Sequence, residues 1–173
     1  MKYTRKQRNI PESFWPILDN PGDTKALGDV KDWLHGGKLF GVFAGEKGLG
    51  KSLALAYAID QHGGYYAEAI QAVRVGLFDD DWDKLSVPVF LALDELGMEP
   101  RDDKGWIESR FYRLMSWRYQ TNRRTLLATN LGYEAFRTRY GTGPLERFWD
   151  RLTSDCDIFH YVGPSMRQEA ITQ

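Results

Sequence analysis

The octapeptide Gly45-Glu46-Lys47-Gly48-Leu49-Gly50-Lys51-Ser52 constrains this chain more than any other stretch. It follows a short apolar run, Lys38–Ala44 (KLFGVFA), which reads as a buried strand. It opens into Lys51–Gln61 (KSLALAYAIDQ), with Leu53, Ala56, Tyr57 and Asp60 at helical spacing, before His62-Gly63-Gly64 stops the pattern. In a strand, a glycine-rich turn and a helix so joined, successive backbone N–H groups face an anion and the helix adds its positive end. The pattern G-x-x-x-x-G-K-[ST] in this context predicts a nucleotide-phosphate cradle running from Gly45 to Leu53. Lys51 would neutralise the β- and γ-phosphates, and the Ser52 hydroxyl would ligate Mg²⁺.

Such a cradle needs carboxylates at a neighbouring strand end. Val87–Leu93 (VPVFLAL) reads as a central strand with Pro88 at its very start, and it runs into Asp94-Glu95. Ligands of parallel sheets bind at the C-terminal strand ends, so Asp94 is expected to be the outer Mg²⁺ ligand and Glu95 the base that orients the attacking water. Asn130 directly follows the strand Thr125–Thr129 (TLLAT); its amide suits a γ-phosphate or water contact, and equally an ordinary turn before Gly132. On the helix Pro144–Thr153 (PLERFWDRLT), Leu145, Phe148, Trp149 and Leu152 form an apolar stripe. Arg147 and Arg151 lie at i,i+4 on the other side, either as a solvated pair or with one presented to a neighbouring subunit's nucleotide.

The remaining pattern predicts helices over Thr24–Leu34, Ile70–Leu77 and Trp106–Gln120, the last with Ile107, Phe111, Leu114 and Met115 inward and Arg110 and Arg113 outward. Gly64–Ala67 and Asp157–Val162 read as further strands. Strand–helix alternation implies an α/β fold, a mostly parallel sheet with helices on both faces, over residues 38–173 behind a lead-in segment 1–37. A length of 173 residues suits one domain.

Composition excludes several classes. No apolar run approaches the roughly 20 residues of a membrane helix, and the basic start MKYTRKQRNIPESF has no apolar stretch after it. A single cysteine, Cys156, leaves no internal disulfide framework, so the expectation is a soluble cytoplasmic protein. His35, His62 and His160 lack metal-ligand spacing. The formal net charge of −1 hides an asymmetry, with −7 over Asp79–Asp103 and +6 over Lys104–Arg151. Opposed acidic and basic sides favour self-association or a polyanion on the basic side, where Trp117, Arg118 and Tyr119 are a minor candidate for stacking on bases.

The order GEKGLGKS, LALDELG, WRYQTNRRTLLATN, ERFWDRL and GPSMR resembles the AAA+ ATPases of the DnaC/IstB type, the bacterial helicase loaders and transposition helpers, from about Ile10 to Arg167. The resemblance implies an AAA+ core with a parallel five-stranded sheet between helical layers; larger AAA+ proteins carry a C-terminal helical lid, and none is expected here, where only about ten residues follow the last strand. It makes Gly45–Ser52 the Walker A loop, Asp94-Glu95 the Walker B pair and Asn130 sensor 1. It also makes Arg151 an arginine finger acting in trans, and Arg167 the sensor 2 that reads the γ-phosphate. Asp94-Glu95 stands where the family more often has two aspartates, and no separate N-terminal helicase-gripping domain fits into 37 residues.

The implied activity is Mg²⁺-dependent binding of ATP/ADP and ATP hydrolysis in DNA replication. The implied partners are copies of the same chain, a replicative helicase or other replication protein, and single-stranded DNA, with no membrane. A transposition-helper ATPase and a non-catalytic adaptor switched by nucleotide remain open as alternatives.

Overall fold

The computed structural model describes residues 3–74, 81–99, 105–143 and 146–166. Its strands are β1 (Phe40–Gly45), β2 (Tyr65–Glu68), β3 (Phe90–Leu96), β4 (Arg124–Thr129) and β5 (Cys156–Tyr161), all pairing in parallel in the order β2-β3-β4-β1-β5. Helices α1 (Trp15–Asp19) and α2 (Lys25–His35) precede β1, and α3 (Lys51–His62) follows it. Next come α4 (Ala69–Arg74) and α5 (Asp81–Ser86) between β2 and β3, α6 (Trp106–Gln120) before β4, and α7 (Tyr133–Tyr140) and α8 (Glu146–Ser154) before β5. This is the parallel sheet with helices on both faces that the alternation predicted, with the five strands that the family resemblance implied.

The period of two along each strand sends neighbouring residues to opposite faces, and both faces are apolar because both are covered. Phe40, Val42, Ala44, Leu91, Leu93 and Leu127 join one core with α4, α6, α7 and α8. Phe43, Ala92, Leu126 and Ala128 join the other with α2 and α3. Thr24 starts α2 as its cap, its Oγ1 accepting from the Leu27 N–H at 3.2 Å. The same helix supplies Trp33, fully buried, whose indole donates to the Phe40 carbonyl at 2.9 Å.

Several sequence expectations are corrected. Helix α3 buries Ala54, Leu55, Ala58 and Ile59 along with Ala56, while Leu53, Tyr57 and Asp60 are only half-buried. The helix packs against the sheet on one side and α2 on the other, so its buried face is wider than a single stripe.

Strand β3 begins at Phe90 rather than Val87, and Val87 and Val89 are exposed. The cause is Arg118, which is wholly buried. Its guanidinium takes the carbonyls of Leu85 (2.9 Å), Pro88 (3.0 Å) and Arg124 (2.6 Å) and the Thr125 hydroxyl (2.8 Å), holding the approach to β3 away from ladder geometry. Desolvation, reinforced by the nearby Arg123 charge, lowers the Arg118 pKa to about 9. Arg118 is therefore an interior staple and no surface for bases; Tyr119 stacks on Phe40, and only Trp117 of that trio is exposed.

Helices α1, α5 and α7 fall where the sequence pattern predicted none. The expected ends of two helices, Val75–Leu77 and Pro144-Leu145, lie outside the described residues. At the other end of the chain, the segment before Ile10 runs beside β2. Tyr66 N donates to the Arg8 carbonyl and Asn9 Nδ2 donates to the Tyr66 carbonyl, both at 2.9 Å. Arg8 also donates to the Ile59 (2.8 Å) and Asp60 (2.7 Å) carbonyls in the last turn of α3, where a cation complements the helix dipole. Among the described residues no helix is long and apolar enough to cross a membrane.

Candidate functional site

The strand order sets the C-terminal ends of β3, β4 and β1 side by side, and a cleft of about 510 Å³ opens above them. Lys47 to Leu53, Asp94, Glu95 and Asn130 all line it. The structure thus gathers on one edge three stretches that are far apart in the chain.

The loop from Gly45 to Gly50 is shaped by glycine. At Gly45 (φ 133°) a Cβ would overlap the Tyr161 carbonyl, and at Gly48 (φ 80°) it would overlap the Ser165 side chain. Glu46 is fastened to the neighbouring strand, its N–H donating to the Tyr161 carbonyl and its carboxylate accepting from Gly163 N, both at 3.0 Å. Met166 N donates to the Gly48 carbonyl at 3.1 Å. The segment that follows β5 therefore packs onto the loop.

Lys51 opens α3 and is only 6% exposed. Its ammonium donates to the Gly45 (2.8 Å) and Glu46 (2.6 Å) carbonyls, which engages two of its three N–H groups. Burial lowers its pKa, opposed by the negative charges of Asp94 and Glu46. A buried ammonium held mainly by neutral carbonyls is poised to gain from an anion.

Asp94 is also buried, and both of its oxygens are oriented: Oδ1 accepts from Glu95 N at 2.8 Å, and Oδ2 accepts from the Tyr66 hydroxyl. Burial first, and then the charge of Asp94, raises the Tyr66 pKa, so the phenol remains a donor. Glu95 is exposed and left-handed, with φ 56°. A non-glycine residue there carries roughly 1 kcal/mol or more of strain, a feature concentrated at functional sites. Asn130, half-buried, follows β4 between the two loops. Behind it Thr129 donates to the Leu96 carbonyl (2.7 Å) and accepts from Leu131 N (3.0 Å), tying the β3 and β4 ends together.

The residues present fit a nucleoside triphosphate with Mg²⁺. A glycine cradle and the Lys51 ammonium meet the phosphates, while the Ser52 hydroxyl and Asp94 carboxylate are hard oxygen ligands on the same cleft. Among the described residues, no cluster of three or more His, Cys, Asp or Glu forms elsewhere as a competing metal centre.

Sequence reasoning missed Tyr66, Phe14, Ile17, Met98 and Met166. Four of these line the cleft from outside the phosphate-binding stretches, and only the fold brings them there.

Arg151 is not in this cleft. It donates to Ser116 Oγ at 3.0 Å and stands 5.5 Å from the centroid of the Tyr119 ring, near the end of α6 that feeds β4, at the opposite edge of the sheet. Arg147 is exposed on the same helix. Arg167 lies outside the described residues.

No protein-family model matches the chain, and no curated protein matches it in sequence. Solved structures do match in fold. The DnaC helicase loader superposes with a TM-score of 0.67 at 17% identity, over 88% of this chain and 100% of that one. AMPPCP-bound DnaA from Aquifex aeolicus gives 0.66 at 14% identity, over 94% of this chain. The replication initiator DnaA bound to AMPPCP and single-stranded DNA gives 0.63 at 17% identity, again over 94%. This chain spans about half of either DnaA, 54% in both cases. The likeness to DnaC-type AAA+ proteins read from the sequence thus holds at the level of the fold.

Proposed function

We propose that this chain is an Mg²⁺-dependent AAA+ ATPase of DNA replication, a compact helicase-loader-like factor whose catalytic site is completed between subunits. The observation that carries the reading is the convergence of Lys47–Leu53, Asp94, Glu95 and Asn130 on one cleft. The fold, shared with a helicase loader and with AMPPCP-bound DnaA, supports it.

In this reading the glycine loop and Lys51 hold the triphosphate, and Ser52 and Asp94 hold Mg²⁺, which when bound neutralises the phosphate oxygens. Glu95 orients a water and accepts its proton as the water oxygen attacks the γ-phosphorus. The bond from that phosphorus to the β–γ bridging oxygen breaks, leaving ADP and inorganic phosphate. Asn130 is placed to hold the water or the γ-phosphate. Residues 38–173 form the ATPase core, with residues 1–37 as its lead-in.

Arg151 does not line its own cleft, and in this reading, as the family resemblance implies, it serves a neighbour's. Head-to-tail contact suits the −7 and +6 charge halves, and such heterologous contacts build rings or spirals. Single-stranded DNA, as held by a DnaA of the same fold, and a replicative helicase or another replication protein are the partners in this reading.

The test combines assembly and turnover. A non-hydrolysable ATP analogue should convert the chain to a larger oligomer. Arg151→Ala should bind ATP within about threefold of wild type and lose about a hundredfold or more in turnover. Mixing it with Lys51→Ala should recover part of the activity, because the second variant still supplies Arg151. Equal loss of ATP binding in both variants would overturn the trans assignment.

A further inference from the structure

The backbone that leaves β3 turns sharply after Glu95. Met98 N donates to the Glu95 carbonyl at 3.1 Å, closing a turn in which Glu95 and Gly97 are both left-handed, with φ 56° and 99°. The end of this turn is anchored by Glu99, which is only 5% exposed. Its carboxylate accepts from Gly97 N at 2.8 Å, inside the turn itself. It also accepts from Arg139 through Nε (3.2 Å) and Nη2 (3.1 Å) and from the Tyr140 hydroxyl, at the end of α7. Arg139 Nη2 donates to the Glu99 carbonyl as well, at 2.6 Å.

A buried ion pair is by itself weak evidence for a role beyond packing. This pair differs in where its hydrogen bonds go. One reaches the amide two residues beyond Glu95, so Glu99 bears on the strained turn that aims the Glu95 side chain. Across the turn, Leu131 packs against Gly97, where a Cβ would come within 2.7 Å of its Cδ1. Thr129 bonds the Leu96 carbonyl. Glu95 and Asn130 thus ride on one interlocked piece of backbone whose far end is fixed on α7. Helix α7 continues the contact to α8 through Phe136 and Trp149, with ring centroids 5.7 Å apart, and α8 carries Arg151.

We propose that Glu99 is a positioning residue for hydrolysis: with Arg139 and Tyr140 it fixes the Glu95–Met98 turn, and so the direction in which the Glu95 carboxylate meets the attacking water. This rests on the ATPase reading above. Glu99 does not line the cleft, so its removal acts on turnover and not on nucleotide binding.

The experiment measures ATP affinity and single-turnover hydrolysis for wild type, Glu99→Gln and Tyr140→Phe. Glu99→Gln keeps the shape and loses the charge. It should lower the hydrolysis rate about tenfold or more and leave the ATP Kd within about twofold, the split expected of an interaction made only on the way to the transition state. Tyr140→Phe, which keeps the ion pair and the packing, should give a smaller loss of about two- to threefold in rate with the same Kd. It also serves where Glu99→Gln fails to fold. Unchanged hydrolysis in these variants, or affinity and rate falling together, overturns the proposal while leaving the ATPase reading in place. A wild-type chain that binds ATP but never turns it over overturns both.

Discussion

Lys51 and Arg118 are both buried cations that donate to backbone carbonyls, at opposite edges of the same sheet. Arg118 is fully enclosed and meets the carbonyls of Leu85, Ser86, Pro88, Val89 and Arg124 as well as the Thr125 hydroxyl, leaving it no room for another partner. Lys51 has two carbonyls and opens onto a 510 Å³ cleft. One cation is saturated by the protein, and the other keeps donor capacity that faces the cleft. Saturation of hydrogen bonds, more than burial or charge, separates a structural cation from a ligand-binding one.

The comparison breaks most visibly at Arg118. Arg118→Met would strand several buried carbonyls and should cost about 3–5 kcal/mol in denaturant unfolding. A loss under about 1 kcal/mol would mean that the carbonyls find water and that the staple is incidental. The opposite signature belongs to Lys51. Lys51→Ala should raise the ATP Kd about a hundredfold, or about 2.7 kcal/mol by titration calorimetry, and change unfolding free energy by no more than about 1 kcal/mol. A comparable loss of stability would place Lys51 in Arg118's class. The smallest effect sharpens the contrast within the active edge. Thr129→Val keeps the shape but removes the hydroxyl between the Leu96 carbonyl and Leu131 N, and should cost about 1–2 kcal/mol in the same unfolding measurement.

How much of this was legible in the sequence follows the same division. The meeting of the phosphate loop, Asp94-Glu95 and Asn130 on one cleft was readable because each follows an apolar run that stops near the C-terminal edge of the sheet. Helix α6 was readable from end to end because its apolar positions repeat over fifteen residues. The start of β3 was not, since Val87 and Val89 carry strand-like side chains while Arg118, some thirty residues later, takes the carbonyls around them. Helix α7 was hidden because only Phe136 and Tyr140 of its YEAFRTRY are buried, too few to set a period. Tyr66 was hidden because its reason for being a tyrosine is an aspartate on the adjacent strand. Local periodicity shows in a sequence; partnership across the sheet does not.

The segment clipped beside β2 has a consequence of another kind. β2 ends the sheet, and an outer strand with free main-chain groups is a template on which another chain can grow. Arg8 and Asn9 occupy both the donor and the acceptor of Tyr66. With both groups taken, Tyr66 offers no main-chain partner to another chain at this edge. The clip therefore guards this edge against strand-to-strand aggregation.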